Sequence, residues 1–183
     1  EPGHWLHFDS DGGTYVAPQF YSADATTAAP DVVTKPGYTF SHWEYNGTKF
    51  EFGSPLPENI TLKAHWNVNT STRYTVIHWQ ENADNNEYAF RESEEKSGAT
   101  GAPTSAAAKS YQGFTAQTIT QQTINGDGST IVNVYYKRNV YDVKFYTLNG
   151  RTEYTQFQIR AKYGANIRDR WPTHNNSSTW AVN

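Results

Sequence analysis

Three short segments of this chain resemble one another and recur at nearly constant spacing. They are HWLHF at 4–8, YTVIHW at 74–79 and YDVKFY at 141–146. Trp5 and Tyr74 stand 69 positions apart, and Tyr74 and Tyr141 stand 67 apart. A recurrence of this kind marks a repeat architecture, in which each unit is one small supersecondary module. The first two units also close on similar segments, NITLKAHW at 59–66 and STIVNVYYKR at 129–138. Between opening and closing lies an aromatic block, PGYTFSHW at 36–43 and YQGFTA at 111–116. The expected division is 1–67, 68–139 and an incomplete third unit at 140–183 without a closing segment. Residues 67–73 read as a polar linker, and residues 137–139 as a tighter junction. Units in tandem touch mainly their neighbours, so the expected arrangement is an elongated rod.

The units read as strands. Tyr, Thr, Val and Asn are abundant, and long Leu/Ala/Glu/Lys segments are missing. That composition favours a mainly β fold. In YTVIHW, alternation sets Tyr74, Val76 and His78 on one face and Thr75, Ile77 and Trp79 on the other. The only helical candidate is ADATTAAPDVV at 23–33, and Pro30 limits it. The polar insert at roughly 81–110 reads as a surface loop, above all SGATGAPTSAAAKS at 97–110. Residues 125–128, NGDG, read as a hairpin turn. Cysteine is absent, so no disulfide can support units of this size. A domain of about 60–70 residues buries only about 60% of its unfolded surface, so large aromatics must supply the core. The candidates are Tyr38, Phe40, Trp43, Leu62 and Trp66.

HFDSDGG at 7–13 poses a choice between a metal loop and a turn. Counting Asp9 as position one of a calcium loop, Asp11 is third, but Gly13 is fifth and Phe20 twelfth. Asp and Gly tolerate positive φ, and the turn is the better reading. FDSDGGTYV, then KPGYTFSHW and PENITLKAHW, resemble the InlB B-repeat, or Listeria–Bacteroides repeat, over residues 6–66. One departure is His42, where that family usually has Gly. The second unit, from YTVIHWQENADNNEY to GDGSTIVNVYYKRN, more loosely resembles MucBP-like segments. The resemblance implies small β-grasp-like modules, an α+β variant of the mainly β class with one short helix each. It implies an extracellular protein of the bacterial cell surface, attached to the cell wall. It brings no catalytic residues to carry over.

The remaining chemistry is sparse. A net charge of -3 gives no electrostatic footprint for nucleic acid. No apolar run approaches the roughly 18–20 residues that span a bilayer. The chain opens at Glu1-Pro2-Gly3 without a signal peptide, and it is expected to be a piece of a longer protein. No nucleophile elbow, P-loop or dinucleotide fingerprint occurs. Glu92, Glu94 and Glu95 read as a solvated charged face. Four of the six histidines directly precede tryptophan: His4, His42, His65 and His78. If the indole faces the core, the imidazole faces solvent, so these histidines are expected to be exposed on their strands. A His4/His7/His65 zinc site would need all three side chains to converge. The expectation is no catalytic residue, no metal and no cofactor.

Exposed aromatics are the best binding signal. Tyr45, Trp171 and Trp180 are the candidates, since Trp and Tyr stack on sugars or anchor protein partners. The other reading places Trp171 and Trp180 in the core of the third unit. The expected function is a non-catalytic adhesin stalk whose partners are its neighbouring repeats. The alternatives are a module binding host glycan, mucin or matrix protein, and an accessory domain of a secreted carbohydrate-active enzyme.

Overall fold

The structure, a computed structural model, describes residues 2–147, 158–171 and 180–182. It is almost entirely β. The first sheet holds β1 (Gly3–Asp9), β2 (Gln19–Ser22), β3 (Tyr38–Tyr45), β4 (Thr48–Lys49) and β5 (Ile60–Val68). Their order is β2-β1-β5-β3-β4. The second sheet holds β6 (Thr72–Glu81), β7 (Tyr88–Gly98), β8 (Phe114–Ala116) and β9 (Ile131–Arg138), in the order β7-β6-β9-β8. Two small antiparallel pairs follow. β10 (Val140–Val143) pairs with β12 (Ile159–Lys162), and β11 (Phe145–Thr147) pairs with β13 (Trp180–Val182).

The two larger sheets share one plan. In each, the opening strand runs parallel to the closing strand. Leu6 pairs with Ile60 and Phe8 with Leu62, while Val76 pairs with Val132 and His78 with Val134. The aromatic strand, β3 or β8, joins the far side of the closing strand in antiparallel sense. The internal repeat seen in the sequence is thus a repeat of topology.

Compact packing divides the chain into two units. The first comprises residues 1–74, 95–104 and 122–130, and the second residues 75–94, 105–121 and 131–183. The first holds a core of Leu6, Val33, Trp43, Leu56, Ile60, Leu62 and Ala64. Phe40 and Trp66, two of the expected core aromatics, pack against it. Tyr38 stands outside this cluster, and its ring instead takes the Lys35 ammonium 4.5 Å from its centroid. In the second unit Val76, His78, Val132, Val134 and Tyr136 are all buried. Each fully buried aliphatic or aromatic side chain contributes on the order of 1.5–3 kcal/mol.

The double glycine is a turn, and its residues have separate duties. Asp11 and Gly12 both adopt positive φ, at 50° and 84°. A Cβ on Gly13 would stand 2.5 Å from the Trp66 ring. Trp66 closes this contact by donating its indole N–H to the Ser10 carbonyl at 2.9 Å. Asp11 lies between Lys35 (3.5 Å) and Lys63 (3.3 Å). The Lys63 ammonium holds its carboxyl below the usual range. Residues 10–18 form the whole β1–β2 connection, longer than a tight hairpin. The tight hairpin is at Asn46-Gly47 between β3 and β4, where both residues have positive φ as a type I′ turn requires.

Two expectations fail. Residues 23–33 form no helix, and a single 3-10 turn at Arg168–Arg170 is the helical element among the described residues. Thr27 in that stretch is drawn into extended pairing. Its N–H donates to Ser54 O (3.1 Å), and its C=O accepts from Gly53 N (2.9 Å). Its hydroxyl donates to Ser54 O at 3.0 Å. These bonds replace those a helix would offer.

The polar insert is likewise not a free loop. Residues 88–98 form the edge strand β7, whose alternating charges discourage pairing with another chain. Thr104 and Ala106 are buried. Residues 101–104 bond residues 122–124 through Gly101 N, Thr104 N and Ile124 N. Ala106 exchanges two hydrogen bonds with the Gln121 amide.

Removing Trp43, 4% exposed, should cost roughly 3–5 kcal/mol as Trp43→Ala in urea unfolding. The exposed Trp5, replaced by Ala, should change stability by less than about 1 kcal/mol. Equal losses would contradict this assignment of faces.

Candidate functional site

The outer face of the second sheet carries an aromatic group built by register. Trp79 of β6 lies directly across from Tyr135 of β9. Their rings are 6.4 Å apart with planes 20° from parallel. Phe90 of β7 meets Trp79 edge-on at 6.1 Å, and Tyr88 meets Tyr135 edge-on at 4.9 Å. Phe90 is 60% exposed and Tyr135 40%. Asn133, two residues before Tyr135 and on its face, accepts the Trp79 indole N–H at 2.8 Å. That bond fixes the ring. The surface offers aromatic faces for C–H groups, with an amide and a phenol at its edge for hydroxyls.

Behind this face lies a polar network around a buried histidine. His78 is fully buried, and its Nδ1 is 2.8 Å from the Tyr136 hydroxyl. That hydroxyl accepts the Lys109 backbone N–H at 2.8 Å. On the other side of the ring, His78 Nε2 lies 3.4 Å from Glu94 Oε1. Lys109 Nζ reaches Glu92 at 2.8 Å and Glu94 at 3.7 Å. Tyr111 donates a short hydrogen bond to Glu92. Lys109 and Tyr111 together draw the Glu92 carboxyl down to about 2. Burial, then the Glu92 carboxylate, pushes the Tyr111 phenol up. Glu92 and Glu94 are therefore half-buried members of a network, while Glu95 on the same strand is exposed. The expectation of one solvated charged face is corrected by this alternation.

A third arrangement, also within the second unit, clamps the ends of β6, β9 and β12. Glu81 is 6% exposed. Its Oε2 accepts the Arg138 backbone N–H at 2.8 Å, and its Oε1 pairs with Lys162 at 2.9 Å. The Arg138 guanidinium donates to Glu81 O (2.6 Å) and Tyr163 O (2.8 Å) and lies 4.8 Å from the Phe114 ring centroid. Lys162 also donates to Asn85 O at 2.7 Å. Burial raises the Glu81 carboxyl, but Lys162 and the Arg138 amide outweigh it, and the net shift is downward. Residues 137–139, read as a tight junction, are thus held through the buried Glu81 and its half-buried partner Lys162.

The candidates named from the sequence are not brought together. Tyr45 is half-buried, packs on the first core, and places its hydroxyl 3.4 Å from Glu58. Trp171 is 42% exposed and lines an open recess with Ala165, Ile167 and Arg168. Trp180 begins β13, and its side chain lies outside the described residues. His4 and His7 sit on opposite faces of β1, and His7 pairs with Thr61. His65 is four residues further along β5, about 13 Å at strand rise. The His4/His7/His65 trio therefore does not converge. The rule that a His before Trp faces solvent holds for His65 but fails at His78. Trp79, Tyr135 and Phe90 were missed, although the alternation in YTVIHW already put Trp79 opposite His78. The Glu81–Lys162 pair left no local signal.

Comparison with known proteins bears on this plan. Residues 4–65 match the model of the Listeria-Bacteroides repeat domain, a stretch that takes in most of the first sheet. The resemblance read from FDSDGGTYV and PENITLKAHW is borne out there. Among curated proteins no match was found. Solved structures with similarity include streptococcal high identity repeats in tandem (SHIRT), domains 3-4 of a cell surface protein. It is 13% identical, covering 74% of this chain and 96% of that one, with a TM-score of 0.26. Mub-RV is 12% identical, covering 75% and 98%, with a TM-score of 0.20. Likeness this slight carries no argument about this chain.

Breaking the clamp as Glu81→Gln should cost roughly 3–5 kcal/mol, because Lys162 is left without its charge partner. Glu81 sits below its ordinary value of 4.5. Its stabilisation is therefore complete above that pH and is lost on acidification. Glu81→Gln should then show a smaller drop in melting temperature between about pH 5 and about pH 3 than the parent. An identical acid profile would rule the pair out as a contributor.

Proposed function

We propose that this chain is a non-catalytic repeat region of a bacterial surface protein, acting as an extracellular stalk or spacer anchored through the cell wall. The match of residues 4–65 to the Listeria-Bacteroides repeat domain carries this reading. The repeated strand order of the two larger sheets supports it, as does a junction held by Glu81, Arg138 and Lys162. A spacer needs modules that unfold reluctantly and junctions that resist bending. Small-angle scattering tests the idea. A compact chain of 183 residues has a radius of gyration of about 16 Å. A stalk requires a value well above that, and a measurement near it removes the reading.

A second reading is favoured by one observation, the exposed Trp79–Tyr135–Phe90 face with its Asn133 amide. It is recognition of a host glycan, as displayed on mucin, by this sheet. Titration of the chain with mucin oligosaccharides should then saturate and quench Trp fluorescence. Trp79→Ala should weaken binding at least about tenfold, as loss of a central aromatic anchor does. Trp171→Ala and Tyr45→Ala, at separate places, should bind like the parent. Loss confined to Trp171→Ala would move the site to the third segment.

A further inference from the structure

The antiparallel pairing of β3 with β5 places His42 directly opposite His65. The imidazole rings stack at 4.8 Å with planes 19° apart. Glu44, two residues beyond His42, projects from the same face, and its Oε2 is 3.8 Å from His65 Nδ1. One ligand-type atom from each of the three side chains falls within 4.8 Å of the others. The geometry points to a binding site for a divalent first-row transition ion such as Zn2+, held by His42, Glu44 and His65.

The surroundings favour a cation there. Ser41 Oγ is 2.9 Å from His42 Nδ1. A hydroxyl accepting from Nδ1–H sets the tautomer that leaves Nε2 free for metal, as outer partners of ligating histidines commonly do. Lys63, the residue opposite Glu44, turns its ammonium to Asp11 at 3.3 Å, so it does not neutralise the Glu44 carboxylate. The inward-facing Trp43 lies between His42 and Glu44 in sequence and is buried in the core. Strand backbone packed in this way holds the three side chains on one face, with their ligand-type atoms within 4.8 Å of one another. Two imidazoles and a carboxylate suit Zn2+ and leave a fourth position for water.

Calorimetric titration of the chain, free of any histidine tag, with Zn2+ tests the site. One ion should bind per chain. His42→Gly and His65→Ala should each weaken binding at least about tenfold, by analogy with the loss from disturbing metal-site partners. His7→Ala, on another strand, should bind like the parent. NMR of the parent's imidazoles keeps the question open to test if a variant misfolds. Zn2+ should shift the His42 and His65 signals and leave His7 unmoved. No stoichiometric uptake, unweakened variants, or shifts at other histidines instead would each overturn the proposal.

Discussion

Each of the larger sheets depends on pairing between its first and last strands. β1 and β5 run parallel, as do β6 and β9, and everything between them is inserted into that frame. Parallel neighbours cannot be joined by a tight turn, so the intervening chain must go out and return. It does so differently in the two cases. Between β1 and β5 lie the hairpin partner β2, the extended stretch around Thr27 and the β3–β4 hairpin. Between β6 and β9 lie the long edge strand β7 and the bonded layer of residues 101–106 and 121–124. What stays constant is the inner face of the parallel pair. Leu6, Leu62, Val76, Val132 and Val134 are each at most 1% exposed.

Much of this was legible because it is periodic. The spacing of HWLHF and YTVIHW identified the opening strands, and period-two alternation sorted Tyr74, Val76 and His78 onto one face. What failed was the expectation that each His before Trp faces solvent beside an inward indole. At Trp43 it holds. At Trp5 and Trp79 a smaller residue fills the interior, and the indole stays at the outer surface. His78 can be buried because Tyr136 supplies its hydrogen bond from 58 residues away, a partner no local pattern reveals. Glu81 and Lys162 are further apart still. The helix expected at 23–33 gave way to the same kind of non-local competition, through Thr27 and Ser54. The small, polar stretch at 97–110 looked like a loop by composition, yet its backbone is paired.

Sheet alternation then determines where chemistry can occur. With one face committed to the core, the outer faces are free to vary without cost to the fold. The first sheet uses that freedom for the stacked His42–His65 pair, and the second for Trp79, Tyr135 and Phe90. The charged residues are treated differently. Glu92, Glu94 and Lys109 lie around a buried histidine, and Glu81 ties the end of β6 to β9 and β12. Their partners hold the Glu92 and Glu81 carboxylates ionised down to lower pH than usual. Such placement stiffens a module at neutral pH, which suits the proposed spacer.

Native-state hydrogen exchange tests most directly whether the parallel pair holds each sheet together. The amides of Leu62–Ala64 in β5 and Val132–Val134 in β9 should exchange only through global unfolding and be the slowest in the chain. The outer strands β2, β4, β7 and β8 should open at lower free energy. Slowest exchange in those outer strands, with β5 and β9 opening early, would contradict the account.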